Sequence, residues 1–331
     1  MLLDRSVFKL KTISRQIYEL GIVPVVKLDR AEDAVPLAKA LMNGGLPVAE
    51  ITFRTDAAEE SIKKIAAELP EMLIGAGTIL TTEQADRAMT AGAKFIVSPG
   101  LNEKVVSHCV EKGYPIYPGC STPGDVERAL ALGINEIKFF PAEQSGGLEM
   151  IKALSAPYVN ATFMPTGGIN EANLNSYLAF DKIIACGGSW MVKDDLIKAG
   201  RFDEIERLTA AAVQKMLSFS IVHIGCNCGD EATAQADAKE LGSLLGLPLN
   251  ESAGNIFVGS IFEIIKSNYL GKNGHIAIGT NSVDRAAAYF AARGFALHSE
   301  AVSYDDKGRM KVAYLEKEFA GFAVHLVNAV K

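Results

Sequence analysis

Lys138 stands in the middle of Ile134-Asn135-Glu136-Ile137-Lys138-Phe139-Phe140-Pro141-Ala142-Glu143, a run that reads as a short strand ending in a proline turn. An ammonium between Ile137 and Phe139 loses hydration unless something compensates it. Burial favours the neutral amine, and a neutral amine is the group that attacks a carbonyl to form a Schiff base. Taken alone, the segment also fits a lysine snorkelling from a strand end to water. A second run, Pro47-Val48-Ala49-Glu50-Ile51-Thr52-Phe53-Arg54, carries the complementary chemistry. Side chains alternate along a strand, so Glu50, Thr52 and Arg54 share one face, opposite Ala49, Ile51 and Phe53. By the same parity Glu136, Lys138 and Phe140 share a face. If the apolar sets pack outward, a carboxylate and a lysine point into one enclosed space with a guanidinium at its rim. Such pairs tune proton affinities in active sites, and they also occur as purely structural ion pairs. Two glycine pairs add an anion site: Gly167-Gly168 in Pro165-Thr166-Gly167-Gly168-Ile169, and Gly187-Gly188 before Ser189. Glycine lets backbone N–H groups approach a ligand closely.

These residues need a scaffold that brings distant segments together. Residues 22 to 217 alternate short apolar runs with amphipathic helical stretches. The runs are Ile22-Lys27, Pro47-Phe53, Met72-Gly77, Lys94-Ser98, Pro115-Gly119, Glu136-Phe140, Thr162-Thr166 and Lys182-Gly187. Their ends recur roughly every 20 to 26 residues, which predicts a parallel sheet covered by helices. Eight units at this pitch predict an α/β fold, a closed (β/α)8 TIM barrel, with a doubly wound sheet as the alternative. Residues 12 to 20 read as an extra helix closing the barrel's N-terminal end. Barrel chemistry belongs to the C-terminal strand ends, and phosphate to the loops after strands seven and eight.

The length of 331 residues suits two domains, with a boundary at residues 217/218. A chain 49% hydrophobic and 22% charged is expected to be soluble and globular. The net charge of −6 points to no nucleic-acid partner and no anionic membrane surface. Met1 to Lys11 holds no apolar run long enough for a signal peptide, and no stretch is long enough for a membrane span. Five scattered cysteines, Cys109, Cys120, Cys186, Cys226 and Cys228, fit reduced thiols in a cytoplasm.

Six segments carry a resemblance. Glu50-Ile51-Thr52-Phe53-Arg54-Thr55, Gly75-Ala76-Gly77-Thr78, Ser98-Pro99-Gly100, Pro118-Gly119, Lys138-Phe139-Phe140-Pro141-Ala142-Glu143 and Pro165-Thr166-Gly167-Gly168-Ile169 fall in order on six strands. Together they resemble the family of 2-keto-3-deoxy-6-phosphogluconate aldolases, many of which also act on 4-hydroxy-2-oxoglutarate, over residues 12 to 217. The resemblance implies a class I aldolase in which Lys138 forms the Schiff base and Glu50 moves protons. It implies that Arg54, Thr78, Pro99 and Thr166 contact the keto acid and that Phe140 packs on the Schiff base. Gly167, Gly168, Gly188 and Ser189 would bind phosphate. It implies no metal or organic cofactor for the aldolase, a small keto-acid substrate and a homotrimer. The products would be pyruvate with D-glyceraldehyde 3-phosphate or with glyoxylate. A phosphogalactonate-type aldolase fits the same motifs, and a phosphate-binding barrel isomerase or epimerase has a similar inventory without a Schiff-base lysine.

After Leu217 the pattern changes. Phe219-Cys226 reads as strand, Asp230-Leu245 as helix, Asn255-Ser260 and Phe262-Ser267 as strands. His275-Thr280, Val283-Arg293, Phe295-Ser299, Lys311-Glu316 and Phe322-Asn328 repeat that order, about 52 residues on from His223 to His275. Such a repeat predicts two similar modules sharing one sheet. The layout, an α+β domain of two βαβββ modules over residues 218 to 331, resembles the glyoxalase and dioxygenase superfamily. That resemblance implies His223, Glu263, His275 and His325 as ligands of a divalent metal, with zinc, nickel and iron suited to such donors. His325 departs from the superfamily's usual carboxylate. Metal chemistry, regulation of the aldolase and oligomerisation are the module's open roles. Cys226 and Cys228 read as bystanders, and His108 and His298 lie in exposed-looking stretches.

Overall fold

A computed structural model describes residues 12–329; the Met1–Lys11 segment lies outside them. The chain divides between Met216 and Leu217 into two compact units.

The first unit opens on the helix Ile13–Leu20. The Thr12 hydroxyl accepts from the Arg15 N–H at its start, and Gly21 ends it in the left-handed region at φ 68°. Ser14 in this helix hydrogen-bonds Glu136, tying it to a barrel strand. The strands that follow are β1 (Ile22–Val26), β2 (Val48–Thr52), β3 (Leu73–Gly77), β4 (Phe95–Val97), β5 (Ile116–Tyr117), β6 (Gly119–Cys120), β7 (Glu136–Phe139), β8 (Thr162–Pro165) and β9 (Cys186–Gly188). Helices separate them, except between β5 and β6, and several are started by side-chain caps at Thr81, Asn102 and Thr122. One ladder runs β5-β4-β3-β2-β1-β9 and a second β6-β7-β8, all parallel. Bridges Phe163 to Ile183 and Thr166 to Gly187 connect β8 to the β9 side. The result is a curled parallel sheet of the TIM-barrel-like kind. The expected fifth strand, Pro115-Gly119, is two pieces instead, because Pro118 has no N–H to give the ladder. The last strand also sits later than expected, at Cys186–Gly188. Phe139 and Phe163 are fully buried, at positions of opposite parity to Lys138 and Met164; truncating such an aromatic costs about 3–5 kcal/mol.

The second unit contains β10 (Ser220–Asn227), a helix Glu231–Leu245, β11 (Leu249–Glu251), β12 (Asn255–Val258) and β13 (Phe262–Ile265). Then come β14 (Gly274–Thr280), a helix Val283–Ala291, β15 (Leu297–Tyr304), β16 (Met310–Leu315) and β17 (Phe322–Asn328). One eight-stranded mixed sheet runs β11-β12-β13-β10-β14-β17-β16-β15. In each half the first and last strands pair in parallel, β10 with β13 and β14 with β17, and the halves join through antiparallel β10 and β14. β11 was not expected: its three residues are all exposed, so no buried alternation marks it. Ala234 and Ala238 of the first helix pack on Ile256, Val258 and Ile264, with Cys226 and Cys228 against that cluster. All five cysteines are free. His108 and His298 are part-buried rather than exposed, and His108 Nε2 lies 2.9 Å from Asp86. Among the described residues no helix is long and apolar enough to cross a membrane.

Candidate active site

β2 and β7 carry Glu50 and Lys138 to one buried point in the first unit. Lys138 Nζ donates to Glu50 Oε1 at 3.3 Å, with side chains 6% and 1% exposed. Strand parity accounts for this: Ile51, Ile137 and Phe139, the neighbours of the pair, are themselves buried. The other carboxylate oxygen, Glu50 Oε2, is buried without a hydrogen-bond partner. A buried acceptor left unpaired is costly, and it is free to take a hydrogen bond from a ligand. Lys138 Nζ also lies 5.2 Å from the centre of the Phe140 ring.

Gly77 makes room for the carboxylate. A Cβ at this position would sit 2.1 Å from Glu50 Oε1. Because the clash is with a side-chain tip rather than with backbone, Gly77→Ala should displace Glu50 and leave the fold intact. The expected result is unchanged circular dichroism with kcat lowered on the order of 10²-fold, the low end for a displaced acid–base group, the role that the resemblance implies for Glu50.

The remaining predicted residues line the surrounding strand ends. Arg54 sits at the rim: its Nε donates to Thr52 Oγ1 at 3.1 Å, and Thr52 Oγ1 donates to the Val26 carbonyl at 2.9 Å. Arg54 also borders a cavity of about 210 Å³ with Gln84 and Arg87. Thr78, directly after β3, holds a left-handed backbone at φ 58°, a strained state for a β-branched residue that clusters at functional sites. The Pro99 carbonyl packs on Gly119, where a Cβ would come within 2.1 Å of its oxygen. Thr166 is buried with its hydroxyl unpartnered, and a Cβ on Gly187 would meet that oxygen at 2.3 Å.

Gly167 and Gly168 hold φ values of 98° and 81°, a backbone that side-chain-bearing residues rarely adopt. Asn170 Nδ2 and Asn173 Nδ2 both donate to the Gly168 carbonyl at 3.1 Å, and Asn173 Oδ1 accepts the Asn170 N–H at 2.9 Å. The amides thus occupy the loop's carbonyl. Successive backbone N–H groups in such a turn form an anion-binding concavity. Gly188 is buried and Ser189 exposed on the neighbouring strand end. Sequence reasoning missed Gly77, Gly187, Asn170 and Asn173 as supports. The motif Gly75-Ala76-Gly77-Thr78 was visible, but the reason for its last glycine was not.

In the second unit, the first and last strands of each half meet at the centre of the sheet. His223 and His275 Nε2 atoms are 3.1 Å apart, and Glu263 Oε2 lies 3.2 Å from the first and 3.1 Å from the second. His325 joins them: donor atoms of His223, His275 and His325 all fall within 4.8 Å of one another. The cluster has space built for it, since a Cβ on Gly225 would strike the His275 ring at 2.2 Å. His275 Nδ1 and His325 Nδ1 are buried without partners. Burial, with His275 and His223 adding to it, lowers His325 to about 3, so the imidazole is neutral. Burial pushes the Glu263 carboxyl up, but hydrogen bonds from His223 and His275 outweigh it and hold the group well below the usual carboxylate range. Asn255, missed by sequence reasoning, hydrogen-bonds the other Glu263 oxygen. Three imidazoles and a carboxylate fit a divalent transition metal. The predicted four residues are therefore together, whereas Cys226 and Cys228 face the helix side.

Comparison with known proteins addresses the first unit. The family model described as KDPG and KHG aldolase matches residues 13–208. The chain is 49% identical over 203 residues to a 2-dehydro-3-deoxy-phosphogluconate aldolase of Treponema pallidum, covering 61% of this chain and 97% of that protein. It is 42% identical over 205 residues to a KHG/KDPG aldolase of Escherichia coli, covering 62% and 96%. A solved KDPG aldolase of Legionella pneumophila, with pyruvate captured as a covalent carbinolamine intermediate, superimposes with a TM-score of 0.59 at 36% identity, over 61% of this chain and 98% of that one.

Proposed function

The chain belongs to the KDPG and KHG aldolase family, a carbon–carbon lyase, and on that premise we propose that Lys138 is its Schiff-base lysine and Glu50 its proton-transfer group. The contact between the two in a buried site, 3.3 Å long, carries this reading. Lys138 passes a proton to Glu50 across their contact, the freed amine adds to the C2 keto group of the substrate, and Glu50 returns that proton to the carbinolamine hydroxyl, which leaves as water. Glu50, now a carboxylate, takes the proton of the C4 hydroxyl. The C3–C4 electron pair moves into the C2–C3 bond, the iminium becomes an enamine, and the C4 carbonyl product departs as an aldehyde. Protonation at C3 and hydrolysis then release pyruvate and the free amine. The water lost at the start is regained at the end, so the iminium serves as electron sink and no cofactor is needed for this step.

In this reading Arg54, Thr78, Pro99 and Thr166 hold the substrate's carboxylate end, for which an arginine at the rim is well suited. Phe140 covers the Schiff base. The N–H groups around Gly167, Gly168, Gly188 and Ser189 receive a phosphate. The substrates are 2-keto-3-deoxy-6-phosphogluconate, 4-hydroxy-2-oxoglutarate, or both, and relative kcat/KM on the two, with the phosphogalactonate-type isomer as third, tests the choice. A barrel isomerase or epimerase would have no use for an amine in contact with Glu50. We place the enzyme in the cytoplasm as a homotrimer; sedimentation velocity should return three times the chain mass.

For the second unit we propose a glyoxalase-like pair of βαβββ modules holding one divalent metal on His223, Glu263, His275 and His325. The order of strands about β10 and β14 and the convergence of four donors support it. Such an ion supplies Lewis acidity to an oxygen ligand; the chain's own residues fix the donors and surround them with neutral side chains. Purified full-length protein loaded with zinc or nickel should keep about one ion per chain after desalting. His223→Ala combined with His275→Ala should bring that to background in metal analysis, without lowering aldolase turnover.

A further inference from the structure

The second unit's cluster has an unusual charge balance. A divalent cation held by three neutral imidazoles and one carboxylate would retain one positive charge. Among the described residues, the cross-strand neighbours of the cluster offer nothing to neutralise it. Cross-strand registers place Gly225 opposite Glu263 and His275, Ala277 opposite His223 and His325, Ala323 opposite His275, and Phe257 opposite Glu263. All are uncharged. Lys266, close in sequence to Glu263, is engaged by Glu231 at 2.8 Å and Glu251 at 2.6 Å. His275 and His325 are 3% and 4% exposed, so the excess charge would be poorly screened by water and costly without a counter-ion.

One neighbour is suited to an anionic oxygen. Tyr314 on β16 stands directly opposite His325 in the β16–β17 register. Its ring centre is 4.4 Å from that of His325 and 6.0 Å from that of His275. The side chain is 7% exposed, and its hydroxyl has no hydrogen-bond partner among the described residues. A phenol extends further from the sheet than an imidazole, so its O–H belongs to the layer where a ligand of the cluster would sit.

Resting on the metal reading above, we propose that this cluster takes a small monocarboxylate, of the 2-oxo or 2-hydroxy acid class, and that Tyr314 donates a hydrogen bond to it. A carboxylate carries one negative charge at neutral pH and matches the excess. A phosphate ester carries about 1.5 to 2 and would need cations that this face lacks. The oxygen next to the carboxylate lets the ligand bind through two atoms. A neutral hydroxyketone offers the same two oxygens but leaves the charge uncompensated.

The test uses full-length protein with Lys138→Met, so that the first unit cannot capture pyruvate covalently. The protein is loaded with cobalt(II), whose visible absorption reports its ligands. Pyruvate, hydroxyacetone and inorganic phosphate are titrated separately. Pyruvate should shift the spectrum saturably, at least about tenfold more tightly than either other probe. Tyr314→Phe should keep the cobalt stoichiometry and weaken pyruvate about tenfold, the effect of removing one hydrogen bond to a charged group. His325→Glu removes the excess charge and should abolish the preference for pyruvate over hydroxyacetone. If that variant fails to fold, Tyr314→Phe decides. Cobalt binding with no pyruvate response, equal affinity for hydroxyacetone, or undiminished pyruvate binding in Tyr314→Phe would overturn the proposal while leaving the metal site standing. No cobalt bound at all would overturn the metal reading, and this inference with it.

Discussion

Lys138→Met should abolish aldol cleavage, with kcat reduced on the order of 10⁵-fold or more, about 7 kcal/mol of barrier. In the proposed mechanism the Lys138 amine makes the iminium, and without an iminium the C3–C4 electrons have no sink. Methionine keeps the length and apolar stem of the side chain, so little packing is lost. It also frees Glu50 from its partner, leaving a carboxylate that is 1% exposed with no cation beside it. Because methionine preserves the packing, the variant should purify as a folded protein with unaltered circular dichroism. Residual turnover within tenfold of wild type, assayed by coupled oxidation of NADH with lactate dehydrogenase, would mean that Lys138 is only structural.

The second large effect concerns Glu50. Glu50→Gln preserves shape and can still accept a hydrogen bond from Lys138, but it cannot take a proton from the C4 hydroxyl. Removing a positioned acid–base group typically costs about 10²–10⁴-fold, and cleavage should fall within that range. Pyruvate should still be captured at Lys138 in this variant, more slowly, because the nucleophile remains. Loss of cleavage with capture retained separates proton transfer from nucleophilic attack. Equal loss of both would point to a disturbed lysine rather than a missing base, and unchanged cleavage would remove Glu50 from its role.

Part of this was legible in the sequence because it depends on local periodicity. The two-residue alternation along β2 and β7 was sufficient to put Glu50 and Lys138 on inward faces. The pitch of apolar runs was sufficient for the curled parallel sheet. The succession of strand, helix and strands in the second unit was visible in its apolar runs, repeated about 52 residues on from His223 to His275, although the three exposed residues of β11 left no trace. Gly77 and Gly187 show where local reading stops. Each is required by a side chain on another strand, Glu50 and Thr166 respectively, and that adjacency exists only once the sheet has formed. Asn170 and Asn173 looked like ordinary loop residues, because their shared target is one backbone carbonyl. The break at Pro118, by contrast, could have been read, since proline has no N–H for a central ladder.

The most direct test of the central claim is reductive trapping. Wild-type protein incubated with pyruvate and sodium borohydride should lose activity and gain the mass of one reduced pyruvyl group. Peptide mapping should find that group on Lys138. The Lys138→Met variant should gain nothing. A reduced adduct on any other lysine, or no adduct in the wild-type protein, would contradict the mechanism.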